Sequence, residues 1–145
     1  MPSERTNEAT RREWRELGFF YDRDDDAKVW RIIGTRIGVQ SFISALAKFA
    51  SNLRNERLSE HDHLGPYMYL KIGSWPEPEI TDDWIAGPLW SLGRLSDEIK
   101  NRVAEANNNE SLLFREFFAP DSLYELSIEL RPEPFDPAKE DPNCW

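Results

Sequence analysis

The sequence predicts an α+β fold in which a single mixed β-sheet of four to five strands carries two long helices on one face. Three observations predict it. Residues 39–53 repeat apolar side chains at helical spacing, and so do residues 89–106. Residues 67–72 and 123–130 alternate apolar and polar side chains, as half-buried strands do. Strand-like and helical segments follow one another in the order (α)(β)β-α-β-α-β-β.

The first element is a charged helix over about residues 6–17, in which acids and bases alternate and Trp14 and Leu17 are the only sizeable apolar groups. Gly18 ends it. Residues 19–21 form a short predicted strand, and the run Asp22–Asp26 is then a turn.

Calcium is a poor interpretation of the Asp22–Asp26 run. The twelve-residue loop of an EF-hand needs glycine at its sixth position and glutamate at its twelfth. Counted from Asp22, those positions hold Ala27 and Ile33, so the run is interpreted as a solvated hairpin turn.

The segment Lys28–Ile33 is rich in β-branched and aromatic residues and is bounded by Gly34, which is typical of a strand. A long helix follows from about Thr35. Its apolar face consists of Val39, Phe42, Ile43, Leu46, Phe49, Ala50 and Leu53.

A second strand is predicted over residues 67–72, with one face toward the core and the other toward solvent or a partner. The core face holds Met68, Leu70 and Ile72, and the open face holds Tyr67, Tyr69 and Lys71. Arg31 and Arg115 are further candidates for the side of the sheet that no helix covers.

The second long helix begins at Pro88, because proline is favoured at the first helical position. Its apolar stripe consists of Leu89, Leu92, Leu95, Ile99, Val103 and Ala106. We expect Trp30 and Trp90, which lie in regular elements, to be at least partly packed.

Residues 112–118 and 123–130 complete the sheet as two strands joined by a turn at residues 119–122. Residues 1–131 thus form one predicted domain. The proline-rich, acidic tail 132–145 is expected to lie extended along the surface or to be disordered.

The charge is −9 overall and is unevenly distributed. Residues 75–145 hold 6 basic and 16 acidic side chains, a net charge of −10, while residues 1–74 are nearly neutral. The acidic half, residues 75–145, repels phosphate groups and anionic lipids, so nucleic acid and membrane surfaces are excluded as partners. A basic protein is the favoured partner. An acidic balance that serves only solubility is the alternative.

Several features favour the cytoplasm. Cys144 is the single cysteine, so no intrachain disulfide can form. Residues 2–16 lack the apolar core of a secretion signal, and no segment approaches the length of a membrane span.

Both histidines lie in the stretch Glu60-His61-Asp62-His63. On an extended strand, His61 and His63 point the same way and could chelate zinc, which needs three or four ligands. Glu60 is the nearest further ligand, and a carboxylate from Asp82 or Asp83 could complete such a site. Solvated loop histidines and a proton-transfer role are the alternatives. No familiar catalytic motif is present, so no catalytic residue is assigned.

The aromatic residues indicate a binding surface. Six tryptophans are many for 145 residues, and Trp75 and Trp84 flank an acidic connection. Exposed aromatic rings surrounded by carboxylates suit contact with a basic protein. The alternative is that both rings attach the loop to the core. The predicted binding residues are Trp75, Glu77, Glu79, Asp82, Asp83, Trp84, Tyr67 and Tyr69.

Taken in order, the segment Val29–Gly34, the long helix and the stretch EHDHLGPYMYL at residues 60–70 resemble a group of small uncharacterised bacterial proteins. In size, acidity and α+β layout the chain is also similar to the immunity proteins of polymorphic toxin systems. The likeness covers about residues 17–131. It implies a non-catalytic cytoplasmic protein that binds and neutralises a basic toxin, and it transfers no catalytic residue.

Two further hypotheses stay open from the sequence. One is a small metal-dependent hydrolase or ligand-binding enzyme centred on Glu60, His61 and His63. The other is a homo-oligomer whose exposed sheet face is a subunit interface.

Overall fold

A computed structural model describes residues 3–145 and confirms the α+β class. The helices are α1 (Glu4–Leu17), α2 (Arg36–Ser51), α3 (Leu89–Glu105) and the single turn α4 (Arg115–Phe118). The strands are β1 (Phe20–Asp24), β2 (Val29–Gly34), β3 (His61–Leu64), β4 (Leu70–Ser74), β5 (Glu79–Ile80), β6 (Ile85–Gly87), β7 (Ser111–Leu113) and β8 (Glu125–Leu130). None of the helices in this part of the chain is long and apolar enough to cross a membrane.

The prediction of a single sheet is wrong, because the strands form two four-stranded sheets. The first sheet has the order β1-β2-β8-β7 and the second β3-β4-β6-β5. In the first sheet the central strands β2 and β8 are parallel, and β1 and β7 pair with them antiparallel. In the second sheet β4 and β6 are parallel, and β3 and β5 pair with them antiparallel. Side-chain alternation specifies which face of a strand is buried, but it does not specify the neighbouring strand, so the pattern could not reveal this division.

The two long helices form and pack against each other, but α2 ends at Ser51. Leu53, predicted on its apolar face, lies in the 3₁₀ turn that follows and is 74% exposed. The Thr35 side chain caps α2 by accepting a hydrogen bond from the Gly38 N–H at 3.0 Å. The Ser96 hydroxyl of α3 donates to the Ile43 carbonyl of α2 at 3.1 Å. The Arg36 guanidinium donates to carbonyls at the end of α3, which would otherwise lack partners.

The two sheets share one core, and side chains of the first sheet reach the second. The buried Trp30 indole N–H donates to the Thr81 carbonyl at 2.7 Å. The Tyr21 hydroxyl, also buried, lies 2.9 Å from the Leu64 carbonyl. Each bond satisfies a polar atom that packing alone would leave unpaired.

The tail 132–145 is neither extended nor disordered in this structure, contrary to expectation. It forms two short 3₁₀ turns, Pro137–Glu140 and Pro142–Cys144, whose Ala138 and Cys144 are buried. The tail packs on α1, where Arg15 pairs with Asp136 at 3.0 Å. Near the chain end, the Arg11 guanidinium lies 4.6 Å from the centre of the Trp145 ring.

Three local predictions also fail. The segment expected as a strand at 112–118 is β7 followed by α4, because the Glu125 carboxylate accepts the N–H groups of Phe114 and Arg115 at 3.2 and 2.6 Å and turns the chain. Trp90 lies on the outer side of α3 and is 63% exposed. Residues 66–68 form a 3₁₀ turn, so β4 begins only at Leu70 and Met68 is exposed instead of buried.

Candidate binding surface

A cavity of about 520 Å³ lies along the outer edge of β1, and we call it the aromatic cavity. The 3₁₀ turn at residues 66–68 and the tail form its other walls. Its lining residues are Trp14, Phe20, Tyr21, Asp22, Arg23, Trp30, Tyr67, Tyr69, Glu140, Asp141, Pro142 and Asn143. Half of them are aromatic. Its volume falls in the usual range for binding sites.

The most unusual group in the aromatic cavity is Asp141, which is only 3% exposed. One carboxylate oxygen accepts hydrogen bonds from the Trp14 indole N–H at 2.9 Å and the Tyr67 hydroxyl at 2.6 Å. The other accepts from the Asn143 N–H at 2.9 Å. All three donors are neutral, and within residues 3–145 no arginine or lysine pairs with this carboxylate. The three hydrogen bonds compensate for the lost hydration of the carboxylate, but no positive charge balances it.

Tyr67 reaches Asp141 through a strained turn. Its φ is 66° and that of Met68 is 58°, two successive side-chain-bearing residues in the left-handed region. Each such residue costs about 1–3 kcal/mol and persists only where the surroundings hold it. Burial of the hydroxyl raises the pKa of Tyr67, and the bond to Asp141 raises it further, so the phenol stays protonated and donates.

Tyr67 and Tyr69 form the open rim of the cavity. Their ring centres lie 5.9 Å apart, and the two residues are 45% and 65% exposed. Exposed rings beside a buried carboxylate are the elements of a cation site, since the π face of an aromatic ring attracts positive charge.

The cationic side chain on the cavity wall, Arg23, is already engaged. It pairs with Asp25 at 2.6 Å, and its guanidinium carbon lies 5.6 Å from the centre of the Trp30 ring. Asp22 pairs with Arg31 on the neighbouring strand. Glu140 adds an exposed carboxylate, so the lining as a whole is acidic.

The acidic connection, residues 75–84, leads from β4 to β6 and includes the short edge strand β5, and we call it the acidic loop. The rings of Trp75 and Trp84 meet edge to face at 5.5 Å. Trp84 covers Gly73, where an added Cβ would lie 2.3 Å from the ring. One ring therefore attaches the loop to the sheet, while Trp75 remains 37% exposed.

The carboxylates of the acidic loop differ in their partners. Asp83 pairs with Lys71 at 3.0 Å. Glu77 and Asp82 are exposed and Glu79 is half-buried, and none of the three forms an ion pair within the part of the chain that the structure describes. The Asp82 carbonyl accepts a hydrogen bond from Arg23, so the acidic loop and the aromatic cavity meet at that arginine.

The histidines lie on β3, at the edge of the second sheet. His61 and His63 pair with Gly73 and Lys71 of β4, so both imidazoles project from the same face, and both are exposed. Asp62 pairs with Ile72 and lies on the opposite face. Across residues 3–145, no three histidine, cysteine, aspartate or glutamate side chains are grouped as a metal site, so Glu60 is not brought together with the two histidines in that way.

Asp141 and Trp14 were not predicted as site residues. The tail was expected to be extended or disordered, and α1 was predicted only as a charged helix. A signal was nevertheless present, because aspartate precedes proline at 136–137 and at 141–142. That dipeptide is typical of an N-cap followed by the first helical residue, and both aspartates cap the turns that follow.

Comparison of the chain with protein-family models, with curated proteins and with solved structures gave no match. The inference about function therefore rests on the residues and geometry described above.

Proposed function

We propose that this chain is a non-catalytic binding protein of the immunity type, which captures and neutralises a basic bacterial toxin in the cytoplasm. One observation carries the proposal: the aromatic cavity holds the Asp141 carboxylate, bonded only to neutral donors, behind the exposed rings of Tyr67 and Tyr69.

A lysine or arginine side chain of the partner is the complementary group for this cavity. Its charge would approach Asp141, and its aliphatic stem would pack on the aromatic walls. The rings need little ordering on binding, because Trp14 is buried and Tyr67 is already held by its bond to Asp141.

The acidic loop supports the same conclusion from a neighbouring surface. Glu77, Glu79 and Asp82 present carboxylates without cationic partners among the described residues, which speeds the encounter with a basic surface. Trp75 and Trp90 line a shallow cavity of about 510 Å³ beside the loop and supply exposed rings of the kind that dominate protein interfaces.

The first test is whether a gene for a basic toxin adjoins the gene for this chain, and its absence would count against the proposal. The product of that gene, made as a catalytically inactive variant, is then titrated with the chain. We expect tight 1:1 binding by calorimetry. Tyr69→Ala should weaken it at least tenfold, since a buried aromatic contact commonly contributes more than about 1.4 kcal/mol. Tyr69 is well exposed, so the substitution should leave folding intact.

Two double variants test whether the position of the acidic side chains, and not only the net charge, determines the rate of association with the toxin. Glu77→Gln with Asp82→Asn should slow association at low salt, whereas Glu105→Gln with Glu116→Gln, two exposed acids elsewhere, should not. The proposal is overturned if the wild-type chain does not bind the neighbouring toxin, or if Tyr69→Ala binds it with unchanged affinity.

A further inference from the structure

We propose that His61 and His63 form a binding site for one divalent transition-metal ion, such as Zn²⁺, Co²⁺ or Ni²⁺, on the outer face of the second sheet. This inference is independent of the proposed function. It rests on three features of the pair: the spacing of the rings, the free ring nitrogens and the neighbouring charges.

The spacing of the two rings suits a shared ion. Both imidazoles project from one face of β3, and their ring centres lie 5.1 Å apart. Two imidazoles that bind one ion at ~2.0–2.1 Å with tetrahedral geometry have their ring centres about 5 Å apart. The distance between the ring centres is therefore the one that a shared ion requires, and the two rings lie edge to face, at 86° to each other.

The hydrogen bonds of the two rings leave the correct nitrogens free. His61 Nδ1 lies 2.9 Å from the Ser59 carbonyl, and His63 Nδ1 lies 2.8 Å from the Met68 carbonyl. A carbonyl oxygen can only accept, so in the neutral form of each ring Nδ1 carries the proton and Nε2 keeps its lone pair. Histidines that bind metals are commonly oriented by such a bond from the other ring nitrogen.

Both imidazoles are exposed, and the charges beside them nearly cancel. Gly73, opposite His61, has no side chain, and the Trp84 ring covers its place on this face. Lys71, opposite His63, is already paired with the Asp83 carboxylate at 3.0 Å. With two protein ligands, the ion would keep water in its remaining positions. Such an open site binds less tightly than a closed four-ligand site, and imidazole nitrogen selects Zn²⁺, Co²⁺ and Ni²⁺ over Mg²⁺.

The experiment uses protein without an affinity tag, titrated with ZnCl₂ by calorimetry and with CoCl₂ by visible absorption. We expect one ion per chain, and no heat with MgCl₂. His61→Ala and His63→Ala should each weaken Zn²⁺ binding at least tenfold, because loss of one ligand removes the chelate. Asp62→Asn is the matched control, since this residue lies on the other face of the same strand, and it should bind as the wild type does.

The proposal is overturned if either histidine variant keeps wild-type affinity, if Asp62→Asn weakens binding as much as they do, or if one ion binds per two chains with a doubled mass in light scattering. Toxin binding by His61→Ala is a separate readout, and its outcome bears on the proposed function alone.

Discussion

The two sheets have the same plan but differ in size. Each consists of two antiparallel pairs joined by a central parallel pair. In the first sheet the central strands pair over six positions, from Val29 with Glu125 to Gly34 with Leu130. In the second they pair over only three, from Ile72 with Ile85 to Ser74 with Gly87.

The difference in pairing length does not separate a buried sheet from an exposed one. The central strands of the first sheet supply Trp30, Ile32, Leu126 and Ile128, and those of the second supply Leu70, Ile72, Ile85 and Ala86, all fully buried. The second sheet carries the histidine pair on its edge strand β3, whereas the edge strand β1 of the first sheet lines the aromatic cavity. Each sheet therefore contributes to the core through its central strands and presents side chains to the solvent at one edge.

The largest expected effect distinguishes two tryptophans: Trp30 in the first sheet and Trp75, which directly follows β4 of the second. Trp30→Ala removes a fully buried ring and its bond to Thr81, so the free energy of unfolding should fall by about 3–5 kcal/mol. Trp75→Ala removes a partly exposed ring and should cost less than about 1 kcal/mol. Urea denaturation measures both. Equal losses would contradict the difference in burial between the two rings.

A smaller effect is expected from adding one methyl group to the second sheet. The Cβ of Gly73→Ala would lie 2.3 Å from the Trp84 ring, so the ring must move and stability should fall by about 1–3 kcal/mol. Displacement of Trp84 should also change the tryptophan fluorescence of the folded protein.

Gly93→Ala is the matched control for that substitution. In α3 the nearest atom to its added Cβ is 3.8 Å away, so the variant should be more stable by about 0.5–1 kcal/mol. If Gly73→Ala is instead neutral, Trp84 is not held against the sheet as described.

The smallest effect is expected outside both sheets, where the tail joins α1. Asp136→Asn keeps an oxygen that can cap the turn at residue 137, but it removes the ion pair with the exposed Arg15. We expect a loss below about 1 kcal/mol. If the loss is as large as that for Trp30→Ala, the tail is part of the stabilising framework.

The same ion pair has a defined pH dependence. The hydrogen bond from Arg15 lowers the pKa of Asp136 below its usual value. The contribution of the ion pair to the free energy of unfolding is therefore complete above the pKa of an unfolded aspartate. It is lost as the pH falls through the lowered pKa of Asp136 in the folded protein. The difference in unfolding free energy between wild type and Asp136→Asn should be present at pH 7 and shrink at pH 3. A difference that grows on acidification would contradict this assignment.

Much of the local structure could be predicted from the sequence. The apolar stripes of α2 and α3 and the hairpin around Asp22–Asp26 follow from periodicity and turn residues, and all three are present except that Leu53 lies beyond the end of α2. The division into two sheets could not be predicted, because β5 and β6 are two and three residues long, too short for a pattern to show.

The candidate site was predicted only in part. The alternation at residues 67–72 singled out Tyr67 and Tyr69, and both are exposed. Their cavity depends on Asp141, which is distant in sequence and comes near only because the tail folds onto α1. Local patterns carry no information about such a long-range contact.

The plan of the sheets also bears on the order in which the chain can fold. Antiparallel neighbours such as β1 and β2 are close in sequence and can pair as soon as both strands have been synthesised. The partner of β2 in the parallel pair is β8, which lies almost at the other end of the chain, so joining them closes a very long loop. A ribosome must therefore synthesise residues 125–130 before the centre of the first sheet can exist, and until then one edge of β2 is unpaired and open to aggregation.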